Sequence, residues 1–98
     1  MEYDVEQLDT FVTWLEKLED IRAKNRIIAR IERAKKGNLG DWSAEGGKVR
    51  AIVIDYGPGY RLYYTIRQRK IIFLLCGGDK STQKADIKTA HKLEKELD

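Results

Sequence analysis

The sequence predicts an α+β domain in which an N-terminal helical hairpin packs on a twisted antiparallel β-sheet and a C-terminal helix follows. Three observations predict this fold. Apolar residues recur at helical spacing up to about residue 36, and they do so again after residue 80. Between these regions lie three stretches rich in β-branched and aromatic residues. A chain of 98 residues suits one modest core, so residues 1–98 are expected to form a single domain.

Two helices are predicted first. The apolar positions of the first helix are Leu8, Phe11, Val12, Leu15 and Leu18. Asp20 is the predicted N-cap of the second helix and Gly37 its C-terminal stop. The apolar face of that second helix comprises Ile27, Ile28, Ile31 and Ala34, and its other faces carry Arg22, Lys24, Arg26, Arg30 and Arg33. Because the link near Glu19 is short, the two helices should pack antiparallel.

The three predicted strands are KVRAIVIDY, YRLYYTIRQ and KIIFLLCGG. The first two are joined by a tight turn at Gly57, Pro58 and Gly59, and the last two are joined near RQRK. The run from Ile71 to Leu75 is apolar on both faces and is therefore predicted to be the central strand. A short extra strand near Tyr3 is also expected. Asp79 or Ser81 can cap the last helix, whose apolar stripe is Ala90, Leu93 and Leu97.

Composition excludes several classes of protein. No apolar run approaches the length of a membrane span, and the acidic start MEYDVEQLD is unlike a signal peptide, so a cytoplasmic protein without a membrane partner is expected. The single cysteine, Cys76, permits no internal disulfide and is predicted to be a buried small side chain. One Cys and one His supply too few ligands for a metal site, and no cofactor is expected. His91 is predicted to be structural or exposed, and Trp14 and Trp42 to be packing anchors.

The charge is strongly polarised along the chain. From Met1 to Asp20 there are seven acids and one base, a local charge of −6. From Lys48 to Lys84 there are eight bases and two acids, a local charge of +6. Such a split favours a polyanionic partner for the second half, against the alternative of a solvated face of scattered Lys and Arg.

Three motifs together carry a family resemblance. GNLGD, DYGPGYRLYY and FLLCGGDKSTQKADI, in this order, resemble the RelE/ParE superfamily of bacterial toxins, and most of all its phage-related, HigB-like branch of addiction module killer proteins. The resemblance extends from Phe11 to the last helix. It implies the RelE-like fold and a toxin that is neutralised by a cognate antitoxin, in many relatives one with a helix-turn-helix domain. Many relatives are endoribonucleases that cleave mRNA, commonly on the ribosome, and so inhibit translation.

Two other functions stay open at this point. ParE-like relatives inhibit DNA gyrase and need no nuclease site. A protein that kept the fold and lost the chemistry would only bind RNA or the antitoxin. Fold alone does not decide between these functions.

Metal-independent RNA cleavage needs a base for the 2′-OH, a cation for the phosphate and an acid for the leaving oxygen. Arg61 is the predicted phosphate clamp, because a guanidinium fits phosphate and the resemblance places a functional arginine there. The resemblance likewise implies a functional basic residue at Lys80, which could act as acid or base or bind phosphate. Tyr63, beside Arg61, could stack on a base or donate its hydroxyl. The alternatives are a surface arginine paired with a carboxylate and a solvated lysine. Tyr60 and Tyr64 are expected to be half-buried structural tyrosines. Further nucleic-acid-binding candidates are Lys48, Arg50, Arg67 and Lys84.

The register of the first two strands decides what faces Arg61. A regular four-residue loop would pair Asp55 with Tyr60 and place Arg50, Ile52 and Ile54 on the Arg61 face. A one-residue bulge would place Ala51 and Val53 there instead. The resemblance favours the second register, and it puts Val53 where relatives carry an arginine. In that case the cleft lacks one cation, and its chemistry is weaker or rests on Arg50, Arg61 and Lys80.

Overall fold

The computed structural model describes residues 2–97 and places helices on both faces of one five-stranded sheet. In chain order the elements are β1 Asp4–Gln7, α1 Asp9–Lys17, α2 Ile21–Lys35, β2 Trp42–Ala44, β3 Arg50–Ile54, β4 Tyr60–Arg67, β5 Ile71–Asp79 and α3 Gln83–Lys95, with a 3-10 turn at Lys80–Thr82 before α3. This is the predicted α+β architecture. None of the helices within the described residues is long and apolar enough to cross a membrane.

The sheet has the strand order β1-β5-β4-β3-β2. β1 runs parallel to β5, and every other neighbouring pair is antiparallel, so the sheet is mixed and not wholly antiparallel as predicted. The short strand expected near Tyr3 is present as β1. β5 is an interior strand between β1 and β4, but the central position belongs to β4, which corrects the prediction for Ile71 to Leu75. β2 was not predicted, because its three residues lie among glycines and carry no periodic pattern.

The helical hairpin forms as the sequence indicates. The Asp20 side chain accepts a hydrogen bond from the Ala23 N–H at 3.1 Å, which confirms the N-cap of α2. Gly37 adopts a φ of 97° just after the helix and is the predicted C-terminal stop. The buried face of α2 holds Ala23, Ile27, Ile31 and Ala34. Ile28 was wrongly assigned to that face: it is 47% exposed, since it lies about 100° around the helix from Ile27.

Two apolar cores lie on opposite faces of the sheet. The hairpin face, toward α1 and α2, buries Phe11, Ile27, Ile52, Leu62, Tyr64, Ile72 and Leu74 among others. The α3 face buries Val49, Ala51, Tyr63, Leu75, Cys76 and Ala90, with Leu93 and Leu97 packed against them. The predicted stripe of α3 is therefore confirmed. Each fully buried large apolar side chain stabilises the fold by about 1.5–3 kcal/mol, so both layers are held firmly.

The register of β3 and β4 follows the second of the two alternatives. Ile54 pairs with Tyr60 and Val53 with Arg61, so Ala51 and Val53 share the α3 face with Arg61. The connecting loop is consequently five residues long, and it contains Gly57 and Gly59 at φ values of 56° and 81°. Glycine adopts such left-handed conformations easily. The five-residue loop pairs Val53 with Arg61, whereas a four-residue loop would pair Asp55 with Tyr60.

A second irregularity lies between β4 and β5. Tyr63 pairs with Cys76, whereas Tyr64 pairs with Leu74, so Leu75 is an extra residue in β5. Both Leu75 and Cys76 then contribute to the core on the α3 face. Beyond this bulge, β5 continues to Asp79 and carries the chain to the far end of the sheet.

Candidate functional site

A cleft of about 380 Å³ opens where the β3–β4 hairpin meets the turn that follows β5. Its lining residues are Asp41, Trp42, Val53, Ile54, Asp55, Gly59, Tyr60, Arg61 and Lys80. Two predicted catalytic residues, Arg61 and Lys80, thus line one cavity although 19 positions separate them in the sequence. Val53 lines the same cleft, next to Arg61 across the ladder.

Arg61 projects from the α3 face of β4 and is partly buried. Its partners across the ladder are Val53 and Gly78, both small. Within residues 2–97 the guanidinium makes no ion pair, and its buried Nε has no hydrogen-bond partner. A guanidinium whose donors are free, on a rigid strand, is suited to bind a phosphate in two-point fashion.

Lys80 is held against the hairpin by Gly59. The Lys80 N–H donates to the Gly59 carbonyl at 3.0 Å, and the aliphatic part of Lys80 lies directly over Gly59. A Cβ at position 59 would sit 2.9 Å from Cε of Lys80, and the φ of 81° is itself unfavourable for any other residue. The turn glycine therefore positions the lysine at the cleft that Arg61 also lines, and this contact joins the GPGYR and GGDKST motifs.

The two glycines of GGDKST allow side chains to approach β5 from both faces. The Trp14 ring lies against Gly77, where a side chain would have no room. On the opposite face the Asp86 carboxylate lies against Gly78 and accepts a hydrogen bond from the Thr82 hydroxyl at 2.6 Å. The prediction of Trp14 as a packing anchor is confirmed by these contacts and by its place in the core on the hairpin face.

The acid of GGDKST caps the turn that carries Lys80. The Asp79 carboxylate accepts a hydrogen bond from the Ser81 N–H at 2.8 Å and so caps the 3-10 turn Lys80–Thr82. The prediction that Asp79 or Ser81 caps the last helix is wrong, because the N-cap of α3 is Thr82, which makes no side-chain cap hydrogen bond. Together with the contacts at Gly77 and Gly78, this bond fixes the path of the chain through the motif. Most of the motif is thus structural, and Lys80 is the residue of it that lines the cleft.

Two carboxylates of the cleft were missed by sequence reasoning. Asp41 and Asp55 line it together with the two cations, and both are exposed. Asp41 is brought there because its carbonyl accepts hydrogen bonds from the Val53 N–H at 2.9 Å and from Arg30 at 3.0 Å. The position of each acid inside a motif, GNLGD or DYGPGYR, was the available signal. A carboxylate near a phosphate-binding cation can accept the proton of a nucleophilic hydroxyl.

Arg30 fixes the loop that supplies Asp41. Its guanidinium donates to the carbonyls of Val53 at 2.8 Å and Leu39 at 3.1 Å, as well as to Asp41. Burial, and then the neighbouring Arg33, lower the pKa of Arg30 from its usual value. Arg30 is therefore a structural arginine that ties α2 to β3 and to the segment before β2.

Tyr63 is not part of the cleft, which corrects its assignment as a catalytic or base-stacking residue. Its side chain is fully buried beneath α3. It lies on the same face of β4 as Arg61, two residues further along the strand. Burial, and to a lesser degree Asp86, raise the pKa of Tyr63 to about 12. A hydroxyl in this position reaches neither a nucleobase nor a phosphate, so the tyrosine is a core residue.

The four additional nucleic-acid-binding candidates do not gather at the cleft. Lys48 and Lys84 are exposed but do not line it. Arg50 lies on the hairpin face, opposite Arg61, and stacks on Trp42 at 4.8 Å. Arg67 is already engaged, since it donates to the Glu94 carboxylate at 2.6 Å and to the Glu94 carbonyl at 3.1 Å. Arg67 thus ties β4 to α3, and its role in binding nucleic acid stays a prediction.

Three other predictions concern single side chains. His91 is partly buried with Nε2 2.8 Å from the Glu45 carbonyl oxygen, which confirms a structural role. Cys76 is buried, and burial raises the pKa of its thiol to about 12. Trp42 is 47% exposed and is not the packing anchor that was predicted. Over residues 2–97, no three His, Cys, Asp or Glu side chains are grouped closely enough to hold a metal ion.

Comparisons with known proteins agree with this architecture. Residues 13–98 match the family described as phage derived protein Gp49-like. The chain is 48% identical over 88 residues to an uncharacterized protein of Haemophilus influenzae, covering 90% of this chain and 89% of that protein. A mutant of the E. coli toxin RelE in the free state superposes with a TM-score of 0.74 at 17% identity, covering 94% of this chain and 97% of that one. The RelE-like fold implied by the resemblance is thereby confirmed.

Proposed function

The chain belongs to the family of phage-derived Gp49-like proteins and has the RelE fold, and from this premise we propose that it is the toxin of a toxin–antitoxin pair that cleaves mRNA. One observation carries the proposal. Arg61 and Lys80 line a single cleft where the β3–β4 hairpin meets the turn after β5. Neither side chain forms an ion pair within the described residues. The cleft also holds Asp41 and Asp55, but neither forms an ion pair with these cations within the described residues, so both cations remain available to a phosphate diester.

The cleft holds groups for each of the three jobs in RNA cleavage. Asp41 or Asp55 accepts the proton of the 2′-OH as its oxygen attacks phosphorus. Arg61 stabilises the negative charge that builds on the non-bridging oxygens. Lys80 donates a proton to the 5′ oxygen as its bond to phosphorus breaks. The products are a 2′,3′-cyclic phosphate and a free 5′-hydroxyl, so the reaction balances without a co-reactant.

Val53 favours a second candidate, a toxin with weakened chemistry. It presents methyl groups beside Arg61 where the family resemblance places a guanidinium. Loss of one preorganised donor to transition-state charge typically lowers a rate by a factor of about 100 to 1,000. In that case the protein binds RNA and its antitoxin but cleaves slowly.

The proposed partners are a cognate antitoxin, mRNA and the ribosome. Induction of the protein in a bacterium, with mapping of new RNA 5′ ends and an assay of DNA supercoiling in the same cells, tests the proposal. New 5′ ends on translated messages, absent when Arg61→Gln is induced instead, are the expected result. Loss of supercoiling with intact RNA would indicate a gyrase inhibitor and would refute the nuclease. Unaffected growth with intact RNA would favour the weakened toxin.

A further inference from the structure

A second cavity, of about 270 Å³, adjoins the cleft on the side of α2. We call it the arginine pocket; its lining residues are Arg26, Ala29, Arg30, Arg33, Ile54 and Asp55. Ile54 and Asp55 line both cavities, so the two are neighbours across the end of β3. A ligand long enough to leave the cleft over Asp55 therefore enters the arginine pocket.

The arginine pocket is strongly positive. Arg26 and Arg33 are exposed and form no ion pair within residues 2–97, while Arg30 is occupied by backbone carbonyls. Asp55 supplies the one carboxylate of the lining, so three guanidinium groups face a single acid. Guanidinium groups repel one another, and an arrangement that brings them to one cavity becomes favourable when an anion enters it.

Arg26 is oriented in advance by an aromatic ring. Its guanidinium carbon lies 4.5 Å from the centre of the Tyr56 ring, a cation–π contact. Tyr56 belongs to the same loop as Gly59, which positions Lys80 in the cleft. A stacked guanidinium keeps the donors at its edge free, and it loses less side-chain entropy when it binds an anion.

We propose that the arginine pocket binds a second phosphate of the RNA strand whose scissile phosphate lies between Arg61 and Lys80. This inference rests on the proposed function for the identity of the strand. Planar guanidinium forks match phosphate oxygens, and a single strand is flexible enough to pass from one cavity to the next. Asp55 lies between the two sets of cations, so it repels phosphates from the shared wall and favours one phosphate on either side of it.

Binding of RNA that cannot be cleaved tests the proposal apart from catalysis. The probes are a 2′-O-methyl dodecamer and a 2′-O-methyl trimer, each fluorescently labelled and titrated with wild type and with R26Q/R33Q. The matched control is R22Q/K36Q, which removes the same charge from exposed positions of α2 and its C-cap outside the pocket.

For R26Q/R33Q we expect the dodecamer to bind at least tenfold more weakly, the usual effect of removing a charged hydrogen bond. The slope of log affinity against log salt should fall by about 0.7 for each phosphate that the variant no longer neutralises. The affinity of R26Q/R33Q for the trimer, which fills the cleft alone, should stay within about twofold of wild type. The affinity of the R22Q/K36Q control for RNA should also stay within about twofold of wild type. R33Q alone is the second variant, because the Arg33 side chain donates no hydrogen bond within the described residues and its removal should leave folding intact.

Equally weakened binding by R26Q/R33Q and R22Q/K36Q would show that only net charge matters and would overturn the proposal. An unchanged affinity of R26Q/R33Q for the dodecamer would overturn it as well. Cleavage by Arg61→Gln, measured in parallel, separates this inference from the proposed function. If Arg61→Gln still cleaves RNA while R26Q/R33Q binds RNA more weakly, the catalytic role of the cleft is refuted. The arginine pocket is still supported as an RNA-binding site by that result.

Discussion

At the scale of single residues, the chemistry proposed for the cleft depends on two cations that form no ion pair within the described residues. Arg61 and Lys80 lack acidic partners within residues 2–97, whereas Arg67, which looks equivalent in the sequence, is bound to Glu94. A surface ion pair contributes little to stability, so the absence of a partner costs little for Lys80. Arg61 costs more to keep, because its Nε is buried without a hydrogen-bond partner. What they provide is a local potential that attracts a polyanion.

Val53→Arg tests whether the cleft lacks a cation. Val53 is only partly buried and lines the cleft, so an arginine there can extend into solvent beside Arg61. We expect the variant to melt within a few degrees of wild type and to cleave RNA up to about 100-fold faster. Melting curves and a cleavage time course of both purified proteins measure this.

The matched control is Ile52→Arg, one position earlier in β3. Ile52 is 1% exposed and faces the hairpin, so the same substitution buries an unpaired charge and should unfold the protein. A melting temperature of Val53→Arg as low as that of Ile52→Arg would contradict the placement of Val53. A folded Val53→Arg without faster cleavage would contradict the idea that a missing cation limits the reaction.

At the scale of elements, α3 decides which residues of the sheet are available. It covers Tyr63 and Cys76, and Asp86 in its first turn lies against Gly78, whereas Val53 and Arg61 line the cleft. Burial raises the pKa of both covered groups to about 12. Their neutral forms are therefore favoured in the folded state, while the unfolded chain releases these protons at lower pH.

This arrangement predicts that stability falls at alkaline pH. Above the ordinary pKa of these groups, the unfolded state binds fewer protons than the folded state, so the free energy of unfolding decreases as pH rises toward 12. Urea titrations at pH 8, 9, 10 and 11 should show this decline. Tyr63→Phe and Cys76→Ala should each make it less steep. A free energy of unfolding that stays constant from pH 8 to pH 11 would contradict the burial of both groups under α3.

Much of the fold could be predicted from local patterns, and the exceptions have physical causes. The caps of α2 and the three long strands follow from residue type and period, as Asp20 and Gly37 illustrate. The face covered by α3 depends on long-range packing, so the burial of Tyr63 could not be read from alternation alone. Likewise, Asp41 is placed at the cleft by the pairing of β2 with β3 and by the hydrogen bonds that its carbonyl accepts, among them that from Arg30 on α2, which no local pattern reveals.

At the scale of the whole molecule, charge is divided between the surfaces. The stretch from Met1 to Asp20 is acidic, whereas the cleft and the arginine pocket together are lined by five cations and two carboxylates, with the excess in the arginine pocket. We propose that a cognate antitoxin covers this basic surface with an acidic segment. Charge complementarity of this kind speeds association and is screened by salt.

Association with the cognate antitoxin should therefore slow as salt increases. Stopped-flow measurements between about 20 and 150 mM salt should give an association rate constant that falls at least several-fold, because the Debye length shortens over this range. The R26Q/R33Q and Arg61→Gln proteins should show a weaker dependence. An association rate that does not change with salt would contradict an electrostatic role for these surfaces.

The central claim is that Arg61 and Lys80 act on RNA from one cleft, and cleavage of a defined mRNA by Arg61→Gln tests it most directly. The reaction is followed in a cell-free translation mixture, which offers both free and ribosome-bound message, with wild type and Arg61→Lys in parallel. We predict new 5′-hydroxyl ends with wild type, a rate at least about 100-fold lower for Arg61→Gln, and an unchanged melting temperature. Cleavage by Arg61→Gln at the wild-type rate, or intact mRNA with fully folded wild type, would contradict the account.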